Sequence, residues 1–398
     1  MERLDVLIAG GGPAGLACGV LLARRGLKVV VCEQASYPVD KPCGEGIMPL
    51  GVRHLLELGV RFRECRPFSG IHYRFQGLEA VGSFREGDGL GVDRRELSRA
   101  LLEVAQATPG LEVRPATRAT PTRHAPGGIE VQAGSRAALT RLLVGSDGLN
   151  SRVRAWAGLE GPAASWKRWG ARARFAVAPW SARVEVHWSH GMEAYVTPVS
   201  EGHVGVAFCW DRNLHGTVPG RGRLLVFLLD HFPELRDRLG PPVGTFAAVG
   251  PLQRKSLRPV GPGLALVGDA SGYLDPITGE GISLALSQAA ALERSVADPL
   301  LQSRGRVPDG ALDVYERRHR VLVRPYHAVT GTVLRLTRHP WLARRVVNAL
   351  SRDPAAFAVL LSANMGLARW PDLVRRLPLF LVHLCLGSAP GGQAASPS

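Results

Sequence analysis

Cysteine is sparse in this 398-residue chain, and the 6 present (Cys18, Cys32, Cys43, Cys65, Cys209 and Cys385) are scattered without a CxxC pair. That spacing removes a zinc ribbon and a disulfide framework, suits a reducing cytosol, and leaves no metal expected. Aromatic residues make up only 6% of the chain, too few to suggest base-stacking platforms, so no nucleic-acid partner is expected. The apolar run at 377–386 (LPLFLVHLCL) is too short to span a bilayer. The first residues, Met-Glu-Arg-Leu-Asp, lack a basic segment, apolar core and small-residue cleavage site, so a cytoplasmic protein is expected. Acidic residues are in deficit: 34 Asp and Glu face 49 Lys and Arg, a net charge of +15. Such a charge favours phosphates, acidic substrates or an anionic membrane surface, and a coding bias toward Arg and Ala yields the same composition. With 45% hydrophobic and 21% charged residues, the chain is a folded protein with room for about two domains.

What is present begins at the N-terminus. Residues 5–9 (DVLIA) form a short β-branched run, Gly10-Gly11-Gly12-Pro13-Ala14-Gly15 follows, and residues 16–25 continue as an apolar periodic stretch. Gly26 closes that helix, residues 28–32 (KVVVC) form a second strand, and Glu33 and Gln34 come next. This is a complete βαβ unit. Gly10 permits the tight turn, Gly12 lets backbone N–H groups approach a pyrophosphate, and Gly15 lets helix and strand pack closely. Glu33 at the strand end can accept from a ribose 2′-hydroxyl and would repel a 2′-phosphate. The unit therefore predicts a dinucleotide with free ribose hydroxyls.

Two later segments add to it. Residues 142–144 run into Gly145-Ser146-Asp147-Gly148, and residues 264–267 deliver Gly268-Asp269-Ala270 ahead of Asp275-Pro276-Ile277-Thr278-Gly279-Glu280-Gly281-Ile282 and an apolar helix at 283–291. Asp269 is placed to accept from a ribityl hydroxyl, and amides at a helix N-terminus stabilise anionic oxygen or a reduced ring. In this order and spacing the three segments resemble the FAD-dependent aromatic-ring monooxygenases of the para-hydroxybenzoate hydroxylase type, with their relatives the geranylgeranyl reductases and flavin-dependent halogenases, over about residues 1–320. The resemblance implies FAD as cofactor. Gly10, Gly12, Pro13, Ala14, Gly15, Glu33 and Gln34 then serve the ADP half, and Asp147 and Gly148 lie near the pyrophosphate. Gly268 and Asp269 serve the ribityl chain, Gly279, Gly281 and Ile282 the ring, and Arg94 starts a helix near the cofactor.

Departures place the chain within that group. No His follows Gly268-Asp269-Ala270, and both the segment 268–276 and Lys41-Pro42-Cys43-Gly44-Glu45-Gly46 resemble the reductase branch. Residues 193–198 loosely echo that branch's Tyr-x-Trp-x-Phe-Pro motif, making Tyr195 and Pro198 substrate-pocket candidates. Trp166-Lys167-Arg168-Trp169 does not match the halogenases' lysine motif.

The fold expected is α/β: a Rossmann-like FAD-binding domain from 1–65, 91–160 and 252–325, with an antiparallel-sheet substrate domain from 66–90 and 161–251. Residues 326–386 read as basic amphipathic helices able to cover a greasy pocket mouth or lie on a membrane surface, and 387–398 as a disordered tail. The leading expectation is a monooxygenase of secondary metabolism, with NAD(P)H as the transient reductant that the resemblance implies, which suits a sequence with no second visible dinucleotide fingerprint. Its substrate would be a small lipophilic aromatic or isoprenoid molecule. The alternatives are a flavin-dependent reductase of isoprenoid double bonds, and a non-catalytic flavoprotein on an anionic surface. In the reductase, Cys43 would line the pocket and Glu45 would donate or orient a proton; otherwise Cys43 is a packing residue and Glu45 a solvated loop acid.

Overall fold

A computed structural model describes residues 1–385 apart from Ala164, Thr217 and Arg369; the expected tail 387–398 lies outside the described residues. The apolar N-terminal run becomes the strand Glu2–Ala9, which pairs in parallel with Val29–Cys32 on one side and Arg136–Gly145 on the other. Leu111–Arg114 extends the sheet beyond Val29–Cys32, and Leu264–Leu266 extends it beyond Arg136–Gly145. Val6, Leu7, Ile8 and all of Val29–Cys32 are buried, as parallel strands covered on both faces must be. The helices Pro13–Arg24, Arg94–Gln106 and Gly281–Gln302 bury Leu16, Val20, Leu97, Leu101, Leu286 and Leu292 in one core. The other face carries Leu7, Val30, Ile129, Val131 and Leu143.

A second sheet of seven strands holds Pro242–Val249, Arg168–Phe175, Val204–Asp211, Met192–Pro198, Val184–Ser189, Gly70–Phe75 and Leu78–Ser83 in that order. Its strands alternate with period two. Ala171, Ala173, Phe175, Ala194, Val196, Val206 and Phe208 pack against Leu224, Leu228 and Leu235 of the helices Arg221–Asp230 and Pro233–Arg238 and against Phe232 between them. The intervening positions, Arg168, Arg172, Glu193, Thr197 and Asp211, are also buried although polar. That second face is the one from which the site is built.

At the far edge, Ile71, Phe75, Val184 and Val186 pack on Val347, Leu350, Phe357 and Leu361 of the helices Pro340–Arg352 and Pro354–Asn364. The boundary expected at 326 falls inside one continuous helix, Asp309–Thr337. Pro325 reads in sequence as a break. It stands on the exposed side of that helix, where water can meet the carbonyl it leaves unpaired, while Tyr326 beside it is buried. Among the described residues no helix is long and apolar enough to cross a membrane, and no cluster of metal-ligating side chains occurs.

Candidate active site

The glycines of the first turn differ in what surrounds them. Gly10 has φ +105°, and a Cβ there would come within 2.4 Å of the Ser146 carbonyl oxygen. At Gly15 it would come within 1.9 Å of the Gly10 carbonyl oxygen. At Gly12 it would meet nothing nearer than an Arg94 guanidinium nitrogen at 4.0 Å. Gly12 therefore faces open space at the N-terminus of the helix Pro13–Arg24, where backbone donors and the helix dipole favour an anion.

Arg94 opens its own helix, as expected, but it is only 5% exposed rather than solvated, and its Nη1 has no hydrogen-bond partner. Asp147 accepts from the Arg152 and Val153 amides at 2.7 and 3.2 Å through Oδ2 and leaves Oδ1 buried without a partner. A buried cation and a buried acceptor, both short of partners beside an open glycine cradle, fit a diphosphate flanked by hydroxyl donors. Glu33 also has a structural task. It is 2% exposed and accepts the Gly11 and Ala35 amides at 2.8 and 2.9 Å, bracing the turn, while Gln34 reaches the cavity.

That cavity, about 1210 Å³ in volume, brings together Gly12, Pro13, Ala14, Gln34, Cys43, Arg94, Asp147, Gly148, Gly268, Asp269, Gly279, Gly281 and Ile282. It exceeds the roughly 300–1,000 Å³ of common ligand pockets, which leaves room for a cofactor and a substrate. Burial pushes the Asp269 carboxyl up, with Lys41 and Arg94 acting against the shift. Beyond these motifs the walls become apolar: Ile71, Val186, Trp188, Val347, Leu350 and Phe357. Tyr195 also lines the cavity and donates to the Ile277 carbonyl oxygen at 3.3 Å. Pro198 is not among the lining residues. Its carbonyl instead faces Gly91, where any Cβ would clash at 1.7 Å, and Thr197 takes the place beside the cavity. Lys167 is exposed and outside the cavity.

Cys43 lines the cavity, and burial pushes its thiol up. The Glu45 amide donates to Cys43 Sγ at 3.4 Å. Glu45 itself overturns the solvated reading, being 1% exposed, and it lies outside the cavity lining. Its φ of +58° turns the side chain toward the second sheet. There Oε1 accepts from Arg174 Nη2 at 2.8 Å and from the Arg94 amide at 3.2 Å, and Arg172 Nη1 stands 3.7 Å away. Arg172 and Arg174 also pair with Asp40 and Asp93. Gly205 is needed opposite, since a Cβ there would come within 2.5 Å of Glu45 Oε2. Burial pushes the Glu45 carboxyl up, against the pull of Arg174 and Arg172.

A second ionic group secures the loop at 275–281. Arg168 donates to Asp275 at 2.8 Å and to Glu193 at 2.5 Å, all three side chains being 1% exposed. The long helix Asp309–Thr337 reaches the same region through four residues on one side. Tyr315 donates to the Leu266 carbonyl oxygen at 2.8 Å, His319 Nε2 lies 3.0 Å from Ser271 Oγ, Tyr326 donates to the Asp275 carbonyl oxygen at 2.6 Å, and the Thr330 and Thr278 hydroxyls lie 3.2 Å apart. Glu280 is buried at the start of the next helix and accepts from Asn364 Nδ2 at 3.1 Å; burial pushes its carboxyl up to about 8. The sequence signal for the arginines was the alternation in Arg168-Trp169-Gly170-Ala171-Arg172-Ala173-Arg174-Phe175, which marks a charged face but not its burial.

Residues 3–213 match the family model described as FAD binding domain. Menaquinone reductase of Mycobacterium tuberculosis is 26% identical over 325 residues, covering 72% of this chain and 74% of that protein. Digeranylgeranylglycerophospholipid reductase of Methanothrix thermoacetophila is 27% identical over 344 residues, 80% of this chain and 83% of that protein. A flavoprotein/dehydrogenase structure from Cytophaga hutchinsonii superposes with a TM-score of 0.80 over 96% of this chain and 99% of that one, at 18% identity, a likeness of fold alone.

Proposed function

The chain belongs to the FAD binding domain family and is an FAD-dependent oxidoreductase; from that premise we propose that it reduces a carbon–carbon double bond in a bulky isoprenoid-type lipid, with NAD(P)H as the source of electrons. The observation that carries this reading is the single cavity that joins the FAD motifs to apolar walls from the second sheet and the C-terminal helices. The reductase names of the relatives in Mycobacterium and Methanothrix support it.

Bound FAD supplies hydride transfer. Gly12, the first turn of Pro13–Arg24 and Arg94 would hold the diphosphate, and Asp269 would accept from the ribityl chain. Apolar walls exclude water and orient the lipid by shape. Saturation requires one proton in addition to the hydride. Burial keeps the Cys43 thiol protonated at neutral pH, so Sγ–H is available in the cavity, to be replenished from solvent.

The test reduces the purified yellow holoprotein with NADPH without oxygen, then adds geranylgeraniol, whose only reducible groups are its carbon–carbon double bonds. The expected result is return of the oxidised flavin absorbance and a product two hydrogens heavier. No anaerobic reoxidation, together with an oxygen-dependent product one oxygen atom heavier from a prenylated phenol, would establish the monooxygenase and overturn the reductase.

A further inference from the structure

Between residues 317 and 385 the sequence has 12 arginines, no lysine and only 2 acidic residues, Asp353 and Asp372. On the long helix Asp309–Thr337 the exposed positions include Arg317, Val321, Arg324, Ala328, Thr332 and Arg335, spaced by three or four residues and so forming one stripe. Pro340–Arg352 repeats the pattern with exposed Trp341, Arg344, Arg345 and Arg352. Val321 is 72% and Trp341 62% exposed. Among the described residues, Arg320, Arg338 and Arg376 have carboxylate partners, whereas Arg317, Arg324, Arg335, Arg344 and Arg345 have none.

Two members of the stripe, Ala328 and Thr332, also line the cavity. The cavity thus reaches the surface on the stripe itself, with Arg324 about one helical turn before the opening and Arg335 about one turn after it. Leu360, on the neighbouring helix Pro354–Asn364, is likewise both exposed and part of the lining.

We propose that this face docks on an anionic membrane surface, the arginines meeting lipid headgroups and Val321 and Trp341 entering the headgroup boundary, so that the cavity opens against the bilayer. Charge complementarity selects the occupant: a strongly basic strip almost devoid of acids, interleaved with exposed apolar side chains, matches an anionic interface. A duplex would be served by the arginines alone and would leave Val321 and Trp341 in water. Docking also gives an apolar cavity in a highly charged protein a route for a substrate that does not dissolve.

The test is co-sedimentation of the FAD-loaded protein with phosphatidylglycerol and with phosphatidylcholine vesicles, from low to high salt. It needs no turnover, so it stands or falls separately from the reaction proposed above. The expected result is binding to phosphatidylglycerol that weakens with salt, and little binding to phosphatidylcholine. Arg324→Gln, Arg335→Gln and Arg344→Gln each weaken it about fivefold, the equivalent of about 1 kcal/mol per arginine, and together about a hundredfold, with flavin absorbance unchanged. Equal binding to both lipids at low salt, wild-type binding by a folded triple variant, or salt-sensitive binding to duplex DNA with none to phosphatidylglycerol would overturn the proposal.

Discussion

Glu45 Oε1 lies 2.8 Å from Arg174 Nη2, tying the loop that carries Cys43 to a strand 129 residues downstream. The acid is buried, outside the cavity lining and shared by Arg174 and the Arg94 amide, and we expect it to act by positioning Cys43 and the helix start at Arg94. Glu45→Ala takes one acceptor from the buried Arg172 and the partly buried Arg174, which keep Asp40 and Asp93, and we expect a loss of about 1–3 kcal/mol in urea unfolding. Glu45→Gln keeps an acceptor and loses less. Unfolding midpoints equal to wild type in both variants would show the pairing to be incidental.

The first turn offers a contrast between two glycines. Gly15→Ala forces a methyl group onto the Gly10 carbonyl, so the apoprotein itself is expected to lose several kcal/mol, of the order seen for overpacked cores. Gly12→Ala meets open space, so the apoprotein melts within about 0.5 kcal/mol of wild type while FAD affinity falls. Calorimetry of the apoprotein with fluorescence titration of FAD separates the two. Equal effects at both positions would contradict the assignment of Gly12 to the cofactor.

Arg94→Met removes the unpartnered buried cation. A hydrogen bond to a charged group contributes about 1.5–3 kcal/mol, so FAD dissociation should rise about 10- to 100-fold with the apoprotein still folded. An unchanged dissociation constant would move the diphosphate elsewhere.

Two buried groups give stability opposite pH slopes. Burial pushes His319 down to about 4 from 6.5, so the unfolded chain binds more protons between those values, and stability present above pH 6.5 is lost as pH falls toward 4. Glu280 moves up to about 8 from 4.5, so the folded chain binds more protons in that window, and stability falls as pH rises through it. His319→Gln should flatten the acid side, by at most roughly 3 kcal/mol, and Glu280→Gln should stabilise the protein above pH 8 by at most about 5 kcal/mol. Denaturant unfolding from pH 4 to 9 checks both signs, and a Glu280→Gln protein less stable at pH 9 would contradict the second.

Cys43→Ala should retain FAD and the reduction of flavin by NAD(P)H while slowing anaerobic lipid-dependent reoxidation by about 10²-fold or more, the usual scale for a lost acid–base group. Cys43→Ser should recover part of it, since a hydroxyl carries a proton at the same place. Unaltered reoxidation in Cys43→Ala would leave the thiol a packing group.

Local chemistry explains why the cofactor motifs were legible. The turn at 10–15, the strand Val29–Cys32 and the Gly268-Asp269 segment are each a few consecutive residues whose spacing is dictated by backbone approach, and all appear where expected. Glu33 has a second task that the sequence did not show, because one of its amide partners, Ala35, is local while the other, Gly11, is brought to it only by folding. The buried ions were hidden for the same reason. Alternation marks Arg168, Arg172 and Arg174 as one face, but the burial of the first two and partial burial of the third depend on Glu193, Asp275, Asp40 and Glu45, spread across the chain. Pro198 echoed a motif, yet the backbone of Gly91 occupies the space beside it.

The four residues of the long helix that touch the segment 264–278, Tyr315, His319, Tyr326 and Thr330, stand four, seven and four positions apart and so fall on one side of the helix. Inserting a single residue between His319 and Tyr326 would swing the latter two by about 100° and release both at once. The helix therefore behaves as a gauge with a fixed pitch. Length changes among descendants of this chain should enter there only as about seven residues, two whole turns, and should otherwise gather in the loops on either side of the helix.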